Sequence, residues 1–339
     1  MHPFAPPPLH LVEAGRPVFG RFAAAPRHVN LHDARFCGLP RALRGLRLKR
    51  WQAMQVVSEA LFVHLALFDA RALTMLQVRI YDRASGTQIF HERLLRPAAF
   101  RVATQLDGTT TAYADRRSQL AFTNRVGDGR IEATWKVAAR DASEALAGAL
   151  TLDTRPATHQ VACMPLVNGG AMYAHKGLFA AEGSVQVGAR TFQLAPGDAL
   201  ALLDQQLGTY PYVMEWDWAT AAARSPSGEP LGFNLTRNQC REPERYDECC
   251  AWRAGQVAAL PPVAFTREQA RWRIHDRAGR VDLTFSPRAA HAVKVNALLV
   301  ESRYHGPLGT FTGHLEPEGM APIAVQEWFG MGERFWLRC

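Results

Sequence analysis

Cysteine is scarce in this sequence, and none of the thiols has the spacing of a metal or redox motif. No two of them are separated by two residues, and no histidine cluster completes a zinc ligand set. This pattern excludes a zinc centre, and scattered thiols are typical of a reducing compartment. The six cysteines are Cys37, Cys163, Cys240, Cys249, Cys250 and Cys339.

Three signatures of common enzyme classes are also absent. The sequence has no phosphate-binding loop, no dinucleotide-binding glycine fingerprint and no nucleophile elbow around a serine. Their absence argues against a nucleotide cofactor and against serine-hydrolase chemistry, and we expect neither a cofactor nor a metal. No recognised nucleic-acid motif is present, so we expect no nucleic-acid partner.

Long hydrophobic runs are missing. The most hydrophobic run, Ala60–Phe68, has nine residues, whereas a membrane-spanning helix needs about 20. Residues Met1–Pro17 lack the charged start and the apolar stretch of a signal peptide. We therefore expect a cytoplasmic protein.

Positive charge comes mainly from arginine and is unevenly distributed. Lysine and arginine together number 39, against 31 acidic residues, for a net charge of +8. Residues 1–50 contain nine basic and two acidic residues, a balance of +7. This segment is either a solvated lead or a surface that contacts an anionic membrane. The densest charge comes from Arg41, Arg44, Arg47, Lys49 and Arg50.

What the sequence does contain is a series of short alternating segments. At 339 residues it is long enough for two domains. Ile131–Val137 alternates apolar and polar residues after the turn-forming Asp128-Gly129. Met54–Phe68 is apolar on both faces, as in a strand covered on both sides, and Thr266–Arg273 is a candidate short helix. The pattern predicts an all-β protein with little helix, built as sandwiches or barrels.

An interruption in the alternation of apolar and polar residues marks the expected domain boundary. The segment Met164–Ala174 interrupts the alternation with Gly169-Gly170, and the alternation restarts beyond it. We expect a basic, proline-rich lead over residues 1–50 that packs on the first domain. The first β domain is expected over residues 51–170 and the second over residues 171–339.

The polar hairpin between Asp198 and Gln239 is the segment most typical of a functional site. Strand alternation places Trp216 and Trp218 on one face and Glu215 and Asp217 on the other. The rings either line a ligand cavity or fill the core. The two carboxylates either shift each other's pKa or lie in solvent.

Asp204 is the candidate catalytic residue. It is expected to end an apolar strand, where a carboxylate with a raised pKa acts as a general acid. The alternative role is to cap the turn that follows. Asn234 places an amide either in a pocket or in a structural ladder. Tyr173 and His175, with Lys176 beside them, either bind a carboxylate or phosphate group or are solvated.

Ordered motifs extend over nearly the whole chain. The segments are Gly20–Ala34, Lys49–Gln52, Tyr173–Gly177, Asp204–Ala219, Gly232–Leu235, Asp282–Pro287 and Phe311–Trp336. In sequence and in order they resemble the motifs of a bacterial family, the domain of unknown function 2804.

A more distant resemblance connects the chain to the carotenoid hydratase and tocopherol cyclase group. It rests on Asp204-x-x-x-Gly208 and Trp216-x-Trp218. After the Asp, those hydratases carry a His and a Trp, whereas this chain has Gln205, Gln206 and Leu207. The chain therefore departs from the group at the residues next to its candidate acid.

The resemblance implies two lipocalin-like antiparallel β-barrels and a lipophilic pocket. Two functions follow from it. The protein binds a lipophilic small molecule, or it is a cofactor-free hydratase, cyclase or isomerase that acts on an isoprenoid- or lipid-like substrate with Asp204 as the acid. The expected ligand-binding residues are Tyr173, His175, Tyr210, Trp216, Asp217, Trp218 and Asn234.

Overall fold

The fold is given by a computed structural model that describes residues 4–36, 40–140, 144–155, 159–268, 270–297 and 300–338. Cys37 and Cys339 lie outside these ranges, as does the start of the helical turn considered at Asp141. Among the helices of these ranges, none combines the length and the apolar composition needed to cross a membrane.

Strands make up most of the described chain, and helices are few and short. The strands are β1 Val12–Glu13, β2 Arg16–Pro17, β3 Gly20–Phe22, β4 Leu48–Val57, β5 Leu61–Asp69, β6 Thr74–Asp82, β7 Gln88–Leu95, β8 Thr109–Ala114, β9 Ser118–Arg125, β10 Arg130–Val137, β11 Leu146–Asp153, β12 His159–Pro165, β13 Ala171–Val187, β14 Arg190–Thr209, β15 Val213–Arg224, β16 Pro230–Arg237, β17 Cys250–Arg253, β18 Gln256–Ala259, β19 Ala264–Glu268, β20 Arg271–His275, β21 Val281–Ala289, β22 Ala292–Ala297, β23 Val300–His305, β24 Leu308–Leu315 and β25 Ile323–Arg338. The helices are α1 Arg41–Arg47 and α2 Pro243–Tyr246, with 3-10 turns at Leu31–Asp33 and Val126–Asp128.

The chain divides into two compact units. Unit one contains Met1–Leu48, His159–Lys176 and Gly208–Cys339, and unit two contains Lys49–Thr158 and Gly177–Leu207. This division differs from the contiguous ranges expected from the sequence. The reason is that β13 and β14 are long strands of 17 and 20 residues, and each passes from one unit into the other.

Unit two is an antiparallel sheet curled around its own core. Its strand order is β7-β6-β5-β4-β14-β13-β11-β10-β9-β8. Inward-facing residues alternate with outward-facing ones, as in β10, where Ile131, Ala133, Trp135 and Val137 are buried in one apolar cluster. The predicted Asp128-Gly129 hairpin between β9 and β10 is confirmed, since Gly129 supplies a left-handed φ of 79°.

Unit one contains a second antiparallel sheet with a separate core. Its order is β18-β17-β16-β15-β25-β24-β21-β20-β19, and β23 adds to β25. The core contains Phe233, Trp272, Phe285 and Phe311, each at most a few per cent exposed. The strand β12 pairs with β13 and with β3. The predicted all-β fold with two antiparallel domains and little helix is confirmed.

Two local predictions were wrong. Met54–Phe68 is not one strand, because Ser58 turns the chain between β4 and β5: its hydroxyl accepts a hydrogen bond from Leu61 N at 3.0 Å. The expected helix over Thr266–Arg273 is absent from the described residues of this range, because Thr266–Glu268 lies in β19 and Arg271–Arg273 in β20, and these strands pair with each other. The alternation that buries Trp272 and Ile274 in the core has a period of two, which outweighs the helical composition of the segment.

Glycine is required at one kink in each unit. Gly183 in β13 has a φ of 134°, and a Cβ there would lie 2.1 Å from Ala149 O. Gly313 in β24 has a φ of 140°, and a Cβ there would lie 2.0 Å from Asp282 O. Close backbone approach at a strand kink is a known use of glycine.

We expect Gly183→Ala to lower the free energy of unfolding by at least about 2 kcal/mol, because it adds a steric clash to an unfavourable φ. Gly228→Ala is the matched control, since Gly228 also has a positive φ but no atom within 4 Å of the added Cβ. Urea unfolding of both variants checks this, and equal losses would contradict the clash at Ala149.

Candidate functional site

One face of β15, β16 and β17 is polar, although the opposite face belongs to the core of unit one. Trp218 pairs with Thr236, and Asn234 pairs with Cys250. Directly paired residues of antiparallel strands point to the same face. These four side chains therefore share one face, and the intervening Ala219 faces the core.

The strands β3, β12 and β13 carry a second polar face of unit one. Leu166 N donates to Gly170 O and closes the turn between β12 and β13. Counting back from this turn places Gln160 opposite Lys176. Arg21 pairs with Ala162, two positions from Gln160, and so lies on the same face of the sheet.

Two buried ion pairs connect these faces to the segment before β17. The Arg21 guanidinium bonds the Asp247 carboxylate, and Arg21 Nε also donates to Asp247 O at 2.9 Å. Lys176 Nζ lies 3.4 Å from Glu248 Oε2. All four side chains are at most 4% exposed, so their attraction is weakly screened by water.

Trp218 and Asn234 link the second ion pair to the polar face of β15 and β16. Lys176 Nζ lies 5.6 Å from the centre of the Trp218 ring, within cation–π range. Trp218 Nε1 donates to Asn234 Oδ1 at 2.7 Å, and Asn234 Nδ2 donates to Glu248 O at 2.9 Å. We call the assembled group the polar cluster. Its members are Arg21, Gln160, Lys176, Trp218, Asn234, Thr236, Asp247 and Glu248.

All four charged side chains of the polar cluster affect the pKa of the Cys250 thiol. Burial raises its pKa well above the usual value; Glu248 and Asp247 raise it further, whereas Lys176 and Arg21 lower it. Burial likewise raises the pKa of Asp247 to about 7, against the lowering effect of Arg21. The two ion pairs therefore share one buried neighbourhood.

Several polar atoms of the polar cluster are satisfied by no other described residue. Both amide atoms of Gln160 lack a hydrogen-bond partner within the described chain, as do Arg21 Nη1, Thr236 Oγ1 and Asp247 Oδ2. Gln160 is 1% exposed. Since a buried, unsatisfied polar group costs about 1–3 kcal/mol, these atoms are ones that a ligand would satisfy.

The other face of β13 carries a hydrogen-bonded chain of three side chains. Tyr173 Oη lies 3.3 Å from His175 Nδ1, and His175 Nε2 lies 2.9 Å from His159 Nδ1. Donation by the Tyr hydroxyl and then by His175 Nε2–H satisfies each contact if both rings are neutral. Burial lowers the pKa of His159 to about 4 and lowers the pKa of His175 well below its usual value, with His159 adding to the second effect.

These lowered pKa values predict acid sensitivity. An unfolded histidine titrates at about 6.5, so as the pH falls below that value the unfolded chain takes up a proton that His159 in the fold does not, and the fold loses stability. The loss from His159 alone should be about 2 kcal/mol between pH 7 and pH 5.

Urea unfolding at both pH values checks this expectation. His159→Gln, which keeps a hydrogen-bonding side chain and removes the titration, should lose less stability between them by that amount. An unchanged pH dependence in the variant would contradict the expectation.

Tyr210 and Trp216 belong to a separate aromatic group. Trp216 stacks on Phe335 with 4.3 Å between ring centres, and Tyr210 approaches it edge-on at 6.0 Å. Trp216 Nε1 donates to Glu333 Oε1 at 2.5 Å. The ring is half-buried, and its contacts account for its position without reference to a ligand.

Asp217 faces away from the polar cluster. It lies on the same side of β15 as Ala219, toward the core, and is 1% exposed. Its carboxylate bonds Arg267 and also Arg237, whose Nε lies 2.8 Å away. These contacts give Asp217 a structural role.

Asp204 lies within a strand and not at the end of one. It belongs to unit two, and β14 continues beyond it to Thr209. The predicted strand end at Asp204 was therefore wrong, because Gln205 to Gly208 continue the strand. Asp204 is 6% exposed, and its role as an acid stays a prediction.

The described basic side chains near residue 50 donate hydrogen bonds to backbone carbonyl oxygens. Arg44 donates to Ala34 O at 2.7 Å, Arg47 to Tyr210 O at 2.9 Å, Lys49 to Ala70 O at 2.7 Å and Arg50 to Val102 O at 3.1 Å. The side chain of Arg41 lies outside the described part. Contact of these residues with an anionic membrane stays a prediction.

The structure thus brings together some of the predicted site residues. Tyr173 contacts His175, Trp218 contacts Asn234, and Tyr210 contacts Trp216. Sequence reasoning missed Gln160 and the two carboxylates Asp247 and Glu248. The available signal was a set of polar residues inside or beside apolar strands. Within the ranges that the structure describes, no group of His, Cys, Asp and Glu residues is arranged to hold a metal.

Comparison with known proteins identifies a family and solved structures that are similar to this chain. The family model described as "Domain of unknown function (DUF2804)" matches residues 11–338. A crystal structure of kievitone hydratase from Nectria haematococca is similar at 11% identity with a TM-score of 0.48, over 86% of this chain and 88% of that one. No curated protein matches the sequence at a significant level.

Proposed function

This chain belongs to the DUF2804 family, and from that premise we propose that it binds a lipophilic small molecule at the polar cluster of unit one. Small-molecule sites combine apolar walls with a few convergent polar groups. The polar cluster supplies the second component, with an ammonium, a guanidinium, an amide and a hydroxyl on facing elements.

The observation that carries the proposal is the amide of Gln160. Neither of its polar atoms has a hydrogen-bond partner within the described residues, and the side chain is 1% exposed. Natural proteins retain such a group where function requires it, because an apolar side chain there is more stable. A ligand that accepts a hydrogen bond from this amide and donates one to it removes the free-energy cost of leaving the buried amide unsatisfied.

Apolar side chains beside the polar cluster suit the lipophilic part of the ligand. Met172 and Ala174 alternate with Lys176 along β13 and are buried on the same face. Met164 lies on the matching face of β12 and is 0% exposed. Methionine adapts its shape to varied ligands, and the Trp218 ring offers a flat wall.

The first experiment is native mass spectrometry of the purified protein, which should detect a co-purified small molecule. The second compares Gln160→Leu with Gln186→Leu, an exposed position on β13. Gln160→Leu should raise the melting temperature of the unliganded protein and weaken ligand binding, and the control should change neither. If Gln160→Leu destabilises the protein and leaves ligand binding intact, the amide is structural and the proposal fails.

A second candidate function, a cofactor-free hydratase, cyclase or isomerase, is favoured by the Lys176–Glu248 pair beside the Trp218 ring. The pair offers a proton donor and acceptor, and a ring face stabilises positive charge. Incubating the ligand with the protein in heavy water separates the two functions. A mass gain by hydration or by hydrogen exchange would indicate catalysis, and its loss in a folded Glu248→Gln protein would assign this carboxylate as the proton acceptor.

A further inference from the structure

The charges of the polar cluster are balanced. Arg21 is paired with Asp247, and Lys176 with Glu248, all with nearly fully buried side chains. A charged group that enters this neighbourhood adds an uncompensated charge to a medium that solvates it poorly. The balance therefore disfavours ionic ligand groups of either sign.

The unsatisfied atoms describe the group that the polar cluster accepts. Gln160 offers one donor atom and one acceptor atom, Arg21 Nη1 donates, Asp247 Oδ2 accepts, and Thr236 Oγ1 does either. A hydroxyl group both donates and accepts, and a carbonyl accepts from Arg21 and Gln160. A carbonyl and a carboxylate both only accept, so what separates them is the balance of the two ion pairs, which disfavours the charged carboxylate.

We propose that the polar cluster selects ligands with a neutral hydroxyl or carbonyl group over carboxylates and amines of the same apolar body. This inference rests on the proposed function, and it names the ligand class of that site. The ion pairs act as the discriminating element because each cation is already neutralised by its own carboxylate.

The test uses three ligands with one apolar chain: 1-decanol, decanoate and decylammonium. At about pH 8 a carboxylic acid and an alkylamine are both ionised. The wild-type protein should bind decanol at least about tenfold more tightly than either charged ligand, a difference in affinity of about 1.4 kcal/mol. Titration calorimetry or displacement of a fluorescent fatty probe gives the three affinities.

Two variants invert the expected order. Glu248→Gln leaves Lys176 without its carboxylate and should bring decanoate to at least the affinity of decanol. Lys176→Met leaves Glu248 without its ammonium and should do the same for decylammonium. Glu242→Gln is the control, because Glu242 forms an exposed pair with Arg245 and should leave the order unchanged.

The double variant Lys176→Met/Glu248→Gln tests the inference even if the single variants do not fold. It removes one charge of each sign, so it should keep the preference for decanol. Binding of decanoate to the wild-type protein as tightly as decanol would overturn this inference and leave the proposed function intact. A folded Glu248→Gln variant whose affinity for decanoate does not increase would also overturn this inference and leave the proposed function intact. Absence of binding by all three ligands would overturn both.

Discussion

Replacing Lys176 with Met is expected to lower the free energy of unfolding by about 3–5 kcal/mol, because the change leaves a buried carboxylate without its cation. Glu248 is 0% exposed and lies 3.4 Å from Lys176 Nζ. The loss of the cation also removes the contact with the Trp218 ring. Urea or thermal unfolding measures the effect.

Two controls identify the cause of this loss. Lys136→Met changes an exposed lysine of β10 and should stay within about 0.5 kcal/mol of the wild type. Lys176→Met/Glu248→Leu removes both charges, and replacing a whole buried pair by apolar residues is often neutral. If the double variant loses as much free energy of unfolding as the two single variants together, the broken ion pair is not the cause of the loss in Lys176→Met.

Asp217→Asn is expected to destabilise the protein by about 3 kcal/mol, because it leaves two guanidinium groups without their shared carboxylate. Asp217 is buried, and the Arg267 that it bonds also lies 4.5 Å from the centre of the Trp272 ring. The core of unit one contains that ring, so loss of the bond should also loosen its packing.

Asp282→Asn is the comparison for Asp217. Asp282 pairs with Arg273, and both side chains are well exposed, at 41% and 59%. Such surface pairs contribute about 0–1 kcal/mol. Ligand binding should be unchanged in both variants, since Asp217 faces away from the polar cluster. Loss of ligand affinity in a folded Asp217→Asn protein would instead indicate that Asp217 contributes to ligand binding.

Local alternation was sufficient to predict the fold class. In β10 the period-two pattern and the turn before it are both contained within twelve residues, from Val126 to Val137. The extent of β13 and β14 was not predictable in this way. Gly183 and Pro196 lie inside these strands, and a local reading takes such residues as ends.

The candidate site was only partly predictable because its contacts are long-range. Trp218 and Asn234 lie on neighbouring strands of one hairpin, and the sequence predicted both of them as ligand-binding residues. Arg21 and Asp247 are 226 positions apart, and no spacing rule brings them together. The sequence also did not indicate that β15 directs Asp217 toward a core, because it shows a face but not what covers it.

The position of β25 has a consequence for synthesis on the ribosome. This strand is the last of the described chain, yet it pairs with β15, β23 and β24 in the middle of the unit-one sheet. Trp216 of β15 meets Glu333 of β25 across 117 positions of sequence. Such high contact order slows folding, and β15 remains an open edge until β25 has emerged. We therefore expect the nascent chain to depend on chaperones at this edge, and the polar cluster to form late.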